Sequence, residues 1–154
     1  MDTSIVITFI VICIVAVFIP ATKAAQKATS PYHGIEKEIP TIKTAAARNN
    51  CTGKLFSILL AIRKTENGRP GREFGIMNDA AYNLDMQAGW AAATVVKNFE
   101  RWKAKIEYEK TVESILSFID FLADKYCPQI DDPQGNANWK KNVRYWFVKF
   151  EAEK

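Results

Sequence analysis

Histidine is almost absent from this chain, whose 154 residues contain only His33. Hydrolases of the Ser-His-Asp or Cys-His type need a histidine beside the nucleophile, and structural zinc sites draw on several His and Cys ligands. His33 lies in a segment with Pro31 and Gly34, apart from the strongly helical part of the sequence. The sequence therefore supports neither kind of site, and we expect neither a metal nor a cofactor.

Cysteine is scarce too, with three residues, Cys13, Cys51 and Cys127. Cys13 lies in an apolar run, where we expect it to serve packing. Cys51 and Cys127 each flank a predicted helix and could pair. A disulfide needs Cα atoms within about 7 Å, however, and spacing along the chain does not establish that distance. We therefore expect free thiols.

Charge is missing from Thr3 to Thr22, and residues 4–19 are almost wholly apolar. A helix that crosses a bilayer needs about 20 such residues, so this run predicts a transmembrane anchor over residues 1–22. A secretory signal peptide would have a basic start and a small-residue cleavage site. Asp2 is the only side-chain charge before the run, which favours an anchor that stays attached.

The segment after the anchor, residues 23–50, predicts a flexible linker because it contains two prolines, a glycine and little sustained apolar periodicity. Fully extended, it would reach on the order of 90 Å. Basic residues outnumber acidic ones in it: Lys23, Lys27, Lys37, Lys43 and Arg48 against Glu36 and Glu38. The positive-inside rule then places the C-terminal body on the cytoplasmic side of the membrane.

From Thr52 onward apolar residues recur at helical spacing, so residues 51–154 predict a mainly α body. Helices are expected over about 52–67, 83–107 and 111–126, with a fourth after a Pro/Asp/Gly turn at 128–135. Thr52 is the predicted N-cap of the first helix. No strand pattern is convincing, although the loop at 69–82 could hold a short hairpin.

The most informative stretch runs from Ala61 to Asn78, where Glu66 ends an apolar helix and a glycine-rich loop follows. The C-terminus of a helix carries partial negative charge, which disfavours a carboxylate, and partial burial raises a carboxyl pKa further. A glycosidase acid must hold its proton near neutral pH in order to protonate the leaving oxygen. Glu66 is therefore the predicted catalytic acid.

Two groups of residues resemble a known family. Ala61-Ile62 with Glu66, followed by Gly75-Ile76-Met77-Asn78, match its A-I-x-x-x-E helix and G-L-M-Q-like turn. Tyr126-Cys127-Pro128, Asp131-Asp132-Pro133 and Asn138-Trp139 to Asn142-Val143 resemble its closing Y-x-P, D-P and W-x-x-N-V pattern. Over about residues 55–147 the chain is similar to the lysozyme-like superfamily, especially lytic transglycosylases and phage muramidases or glucosaminidases.

The resemblance implies a lysozyme-like fold that cleaves the β-1,4 glycan backbone of peptidoglycan, with Glu66 as general acid and base. Hydrolysis and transglycosylation both stay open. Asn67 stands where transglycosylases usually have Ser or Thr, and the interval from Glu66 to the turn at Gly75 is shorter than theirs. An alternative is therefore a catalytically inactive lysozyme-like virion membrane protein with a structural or wall-binding role.

Four further residues are candidates for substrate binding: Glu73, Asn78, Tyr82 and Tyr126. Glu73 could position water or polarise the substrate; alternatively, it forms an exposed salt bridge with Arg69 or Arg72. The two tyrosines could stack on sugar rings or belong to a half-buried core. Asn78 belongs to the turn that the family shares.

The remaining polar and aromatic residues of the body have simpler interpretations. Asn83 is as good an N-cap as a ligand contact. Trp139 and Trp146 are expected in the core because of their helical spacing. A basic helix face is interpreted as solvated, so no nucleic-acid partner is expected. Its members are Lys140, Lys141, Arg144 and Lys149.

The predicted location has to reconcile two observations. Peptidoglycan lies outside the cytoplasmic membrane, yet the charges that flank the anchor place the body inside. A bacteriophage with an internal membrane beneath its capsid removes this conflict, and an enzyme in the host cytoplasmic membrane is the competing interpretation. The expected partners are peptidoglycan, membrane lipid through residues 4–19, and capsid or vertex proteins.

Overall fold

The computed structural model describes residues 30–109 and 114–154 of the chain. In these residues it has five α-helices and no strand: α1 Ile39–Arg48, α2 Lys54–Glu66, α3 Leu84–Glu109, α4 Ile115–Tyr126 and α5 Pro133–Ala152. The prediction of a mainly α body is confirmed. The hairpin that was considered for residues 69–82 was wrong, because those residues form turns and irregular backbone.

The centre of the fold is α2, which packs against α5 and α3. Every residue from Ser57 to Arg63 is buried, so the helix is enclosed on all sides rather than along one stripe. A helix that is apolar around most of its circumference is stable only inside a bundle. Of the remaining helices, α1 packs on α3, and α4 packs on α3 and α5.

Part of the predicted flexible linker belongs to the packed body. Residues 39–48 form α1, whose Ile42, Ala45 and Ala46 are buried. Glu38 forms a bidentate ion pair with the buried Arg63, at 2.6 and 2.8 Å. The linker prediction was wrong here because two of the three buried residues are alanines, whose short stripe gives little hydrophobic signal. Pro40 sits in the first turn, where proline is tolerated.

The helix ends agree with the sequence predictions in some places and differ in others. Asn83 caps α3, since its Oδ1 accepts a hydrogen bond from the Met86 amide at 2.9 Å, as predicted. Thr52 was wrong as the cap of α2, which begins after Gly53 without a side-chain cap. The turn predicted at 128–135 is shorter, because α5 already begins at Pro133. At this helix start Asp132 Oδ1 accepts a hydrogen bond from the Gly135 amide.

No helix among the described residues is both long and apolar enough to cross a membrane. The predicted anchor, residues 1–22 with the apolar run 4–19, lies outside the described residues, as do Cys13 and the first part of the predicted linker, residues 23–29. Cys51 is buried, Cys127 is partly exposed, and the two are not joined.

Candidate active site

Glu66 is the last residue of α2 and its side chain is half-buried. The indole Nε1 of Trp139, on α5, donates a hydrogen bond to Glu66 Oε1 at 2.8 Å. The packing of α2 against α5 brings these residues together across the chain. The sequence predicted Trp139 in the core, and its burial confirms this. The sequence did not predict its hydrogen bond to Glu66.

Two opposing effects act on the protonation of Glu66. Burial disfavours the charged form and raises the pKa of this carboxyl, while the Trp139 hydrogen bond stabilises the carboxylate and lowers it. Burial is the larger effect, so the pKa lies above its ordinary value of 4.5. The partial negative charge at the end of α2 acts in the same direction as burial. Glu66 is thus an acid that holds its proton, and Trp139 stabilises the anion that remains when the proton is lost.

The loop after α2 passes directly against Glu66. Asn67 ends the helix in the left-handed conformation, with φ 45°, which asparagine tolerates better than serine or threonine. Further on, a Cβ added at Gly75 would lie 2.5 Å from Glu66 Oε2, and Gly75 has φ +70°. Glycine is therefore required at position 75 for two reasons, its backbone conformation and its contact with the carboxyl.

A residue that the sequence analysis missed holds this loop in place. Gln87 of α3 is fully buried, and its Oε1 accepts from the amides of Phe74 and Ile76, each at 3.3 Å. Its Nε2 lies 3.0, 2.8 and 2.6 Å from the carbonyl oxygens of Gly71, Ile76 and Ala81. The bonds to residues 74 and 76 bracket Gly75. The available signal was a glutamine at a core position of an amphipathic helix.

Tyr126 lies beside the same carboxyl. Its ring stacks on Trp139 with centroids 5.2 Å apart, and its hydroxyl is buried without a hydrogen-bond partner among the described residues. Burial, and to a smaller extent the charge of Glu66, raise the pKa of Tyr126. A cleft of about 230 Å³ opens here, lined by Phe74, Gly75, Ile76, Thr94, Lys125 and Tyr126.

The sequence left open an exposed salt bridge for Glu73, but the structure gives this residue a different setting. It is buried, with 6% of its surface exposed, and its Oε1 accepts from the Gly71 amide at 2.9 Å. Arg72 pairs with Asp79 instead, at 2.7 Å. Neither this arginine nor Arg69 forms an ion pair with Glu73 within the described ranges, so that alternative was wrong.

Asn78 and Tyr82 lie further along the loop and are exposed. Asn78 Oδ1 accepts from the Ala80 amide at 2.9 Å, and Tyr82 lines a second, open cleft of about 420 Å³ with Arg69 and Asp79. The structure therefore joins Glu66 and Tyr126 around Trp139, whereas Asn78 and Tyr82 make no hydrogen bond to Glu66.

The basic face of α5 is partly neutralised by α4. Lys140 lies 3.7 Å from Asp124, and Arg144 pairs with Asp120. These pairs offset part of the positive charge on this face of α5.

Residues 30–109 and 114–154 contain no group of three or more His, Cys, Asp and Glu side chains that could hold a metal ion. Comparison of the chain with protein-family models, with curated proteins and with solved structures finds no match.

Proposed function

We propose that this chain cleaves the β-1,4 glycan backbone of peptidoglycan with Glu66 as general acid and base, and that its fold is of the lysozyme-like kind. The observation that carries the proposal is the half-buried carboxyl of Glu66, which has a raised pKa, a single side-chain donor and a cleft beside it. A half-buried carboxyl with a raised pKa beside a cleft is a functional-site candidate on physical grounds.

The bond from Trp139 fixes how Glu66 would act. Because Oε1 accepts from the indole, the proton belongs on Oε2, the oxygen next to Gly75. Glu66 would transfer this proton to the glycosidic oxygen as the bond from that oxygen to the sugar carbon breaks. The carboxylate left behind is stabilised by the indole N–H and then accepts a proton from the attacking group.

The attacking group is either water or the sugar's own hydroxyl. Hydrolysis by two carboxylates needs a second one placed across the scissile bond. Glu73 is the nearest carboxyl along the sequence, but it is buried and one of its oxygens is bonded to the Gly71 amide. This favours the transglycosylase course, in which the sugar hydroxyl closes a ring and one carboxyl performs both proton transfers. Tyr126 would contact the sugar from the cleft, and Asn78 and Tyr82 would contact it further along the loop.

The proposal is tested with Glu66→Gln, which keeps the Trp139 contact but cannot donate a proton. We expect release of glycan fragments from purified peptidoglycan to fall by about 10²- to 10⁴-fold, the usual contribution of a general acid. Asp120→Asn, a carboxyl change on α4 at the ion pair with Arg144, serves as the matched control and should keep full activity. An unchanged rate in Glu66→Gln would reject Glu66 as the acid. Mass spectrometry of the fragment ends separates an anhydro product from a hydrolytic one.

A second candidate function is wall binding without cleavage. The cleft beside Glu66 is small, since ligand pockets usually hold about 300–1,000 Å³. An inactive lysozyme-like domain would bind purified peptidoglycan and release no fragments, and Glu66→Gln would bind equally well. Fragment release by the unmodified chain would dismiss this alternative.

The proposed location is the internal membrane of a virion, with the host cytoplasmic membrane as the competing site. Residues 4–19 would provide the anchor. Because the packed body is described from Ser30 onward, the chain between it and the predicted anchor is residues 23–29, which reach at most about 25 Å. Protease digestion of the body from the periplasmic side of spheroplasts would contradict a cytoplasmic orientation and the virion location inferred from it.

A further inference from the structure

The C-terminal half of α5 carries an exposed aromatic and aliphatic surface. Tyr145 and Val148 are 54% and 56% exposed and are three residues apart, which makes them neighbours on the helix surface. Trp146 lies next to Tyr145, with ring centroids 5.0 Å apart, and is itself partly buried against the core, as its helical spacing predicted. Large apolar side chains at such exposure on adjacent positions form a patch of the kind that marks an interaction surface.

Two lysines accompany these rings. The Lys64 Nζ lies 4.4 Å from the Trp146 ring centroid, and the Lys149 Nζ lies 5.8 Å from that of Tyr145. Aromatic rings combined with lysine are the side chains that settle at the boundary between lipid headgroups and acyl chains. We name this group, Lys64, Tyr145, Trp146, Val148 and Lys149, the α5 outer patch.

Each of three carboxylates near the α5 outer patch has a side-chain partner. Glu151 accepts from Ser57 Oγ at 2.6 Å and pairs with Lys154. Glu153 accepts from Ser30. Glu36, whose charge acts on Lys64, lies 3.4 Å from His33. Of these acids only Glu151 pairs with a lysine outside the patch, whereas the charge of Glu36 acts on Lys64 itself.

The chain enters the packed body at the same end of α5. Ser30 Oγ donates to Glu153 Oε2 at 3.2 Å, and the Tyr32 ring packs edge-on against Phe150 at 5.2 Å. Residues 23–29 reach at most about 25 Å, so a membrane anchor that ends at residue 22 would hold this end of α5 close to the bilayer.

We propose that the α5 outer patch docks on the surface of an anionic lipid bilayer, with its rings between the headgroups and its lysines facing the phosphates. The proposal rests on the proposed anchor and is independent of the proposed cleavage. Trp139 lies fourteen residues before Glu153 on α5, which corresponds to about 20 Å of helix. Docking therefore fixes the position of the Glu66 site relative to the membrane instead of letting it swing freely.

The test reconstitutes the full chain in vesicles that contain phosphatidylglycerol, with bromine on the acyl chains just below the headgroups. Bromine quenches tryptophan fluorescence only at close range. We expect quenching in the unmodified chain and most of it to be lost in Trp146→Phe. The matched control is Trp90→Phe, since Trp90 is 41% exposed but lies on α3. This variant should be quenched like the unmodified chain.

Flotation of the same vesicles separates the two proposals. If the chain floats with lipid but Trp146→Phe is quenched as strongly as the unmodified chain, the docking proposal is wrong while the anchor stands. The docking proposal is also wrong if a second copy of the chain covers the patch. In that case cross-linking gives dimers, and the bromine does not quench the tryptophan fluorescence. A chain that does not float overturns the anchor and the docking together, and it leaves the cleavage proposal to its own test.

Discussion

Two carboxyl groups that bond to side chains of α5 lie in opposite settings. In the first setting Glu66 receives a hydrogen bond from the neutral indole of Trp139, and within the described residues it has no salt bridge. In the second setting Asp120 pairs with Arg144 beside a cleft of about 250 Å³. Both carboxyls are partly removed from water, but only Asp120 is given a cation.

The difference shows what converts a carboxyl into an acid. A cation stabilises the charged form of a carboxyl, whereas burial against neutral groups stabilises the protonated form. The Glu66 site is therefore suited to proton transfer, and the Asp120 pair to holding α4 on α5. Changes at the Glu66 site should alter chemistry, and changes at the Asp120 pair should alter stability only slightly.

Among changes that leave the Glu66 carboxyl in place, the largest effect is expected from Gly75→Ala, which forces a methyl group against Glu66 Oε2. We expect glycan release to fall by about 10²-fold, because displacements near 1 Å in a catalytic site have that cost. Gly34→Ala is the matched control, since Gly34 also has positive φ, +87°, but an added Cβ there meets nothing within 4 Å. Equal activity in the two variants would show that the contact at position 75 is unimportant.

Gln87→Leu should destabilise the Glu66 side strongly. The change removes the bonds of Gln87 to the loop and leaves several buried backbone groups unpaired, so we expect a loss of about 3 kcal/mol or more in the free energy of unfolding. Asn98→Leu on the same helix is the control, because the buried Asn98 donates to Thr94 of its own helix. Urea denaturation compares the two, and a smaller loss in Gln87→Leu would refute a role for Gln87 in holding the loop.

Trp139→Phe leaves Glu66 without its hydrogen-bond donor, so it tests how much that bond sets the protonation of Glu66. Because that bond lowers the pKa of Glu66, its removal raises the pKa further and moves the alkaline limb of the activity profile to higher pH. The free energy of unfolding should fall by about 1 kcal/mol for the lost bond. Trp102→Phe changes another buried tryptophan away from Glu66, and its pH profile should keep its position. An unmoved limb in Trp139→Phe would contradict this account.

The smallest effect is expected at the pair of Asp120 with Arg144. Arg144→Met removes the cation from Asp120, and the pair is partly exposed, so the cost should be about 1 kcal/mol or less. Glycan release and its pH profile should be unchanged. A loss of activity comparable with that of Gly75→Ala would mean that the Glu66 site and the Asp120 pair are not functionally separate.

Much of the helical body could be predicted from the sequence. The apolar positions Ile58, Leu59 and Ile62 mark α2, and the Pro-Gly loop after Asn67 marks its end. Helix α1 could not be predicted, because Ala45 and Ala46 contribute little apolar signal until α3 packs on them. The periodicity of apolar residues indicates which face of a helix is buried. It does not indicate a stripe of small residues that is buried only by contact with a helix distant in sequence.

The candidate site was predictable only in part. Glu66 was identified by its place at a helix end and by the resemblance, both of which are local in sequence. The bond from Trp139 and the contacts of Gln87 link residues far apart along the chain, so helical spacing assigned Trp139 simply to the core. Glu73 was considered for the surface because charged residues rarely enter a core without a partner such as the Gly71 amide.

The most direct test of the central claim is the titration of the Glu66 carboxyl, followed by ¹³C NMR with Glu66→Gln used to assign its signal. We predict a midpoint above 4.5, together with loss of activity as the pH rises through that midpoint. Because the folded pKa is raised, the contribution of the protonated group to stability is complete below the unfolded pKa and is lost as the pH rises through the folded one. Glu66→Gln should therefore become more stable relative to the unmodified chain over that interval. A midpoint at or below 4.5 would contradict the account of Glu66 as a proton donor.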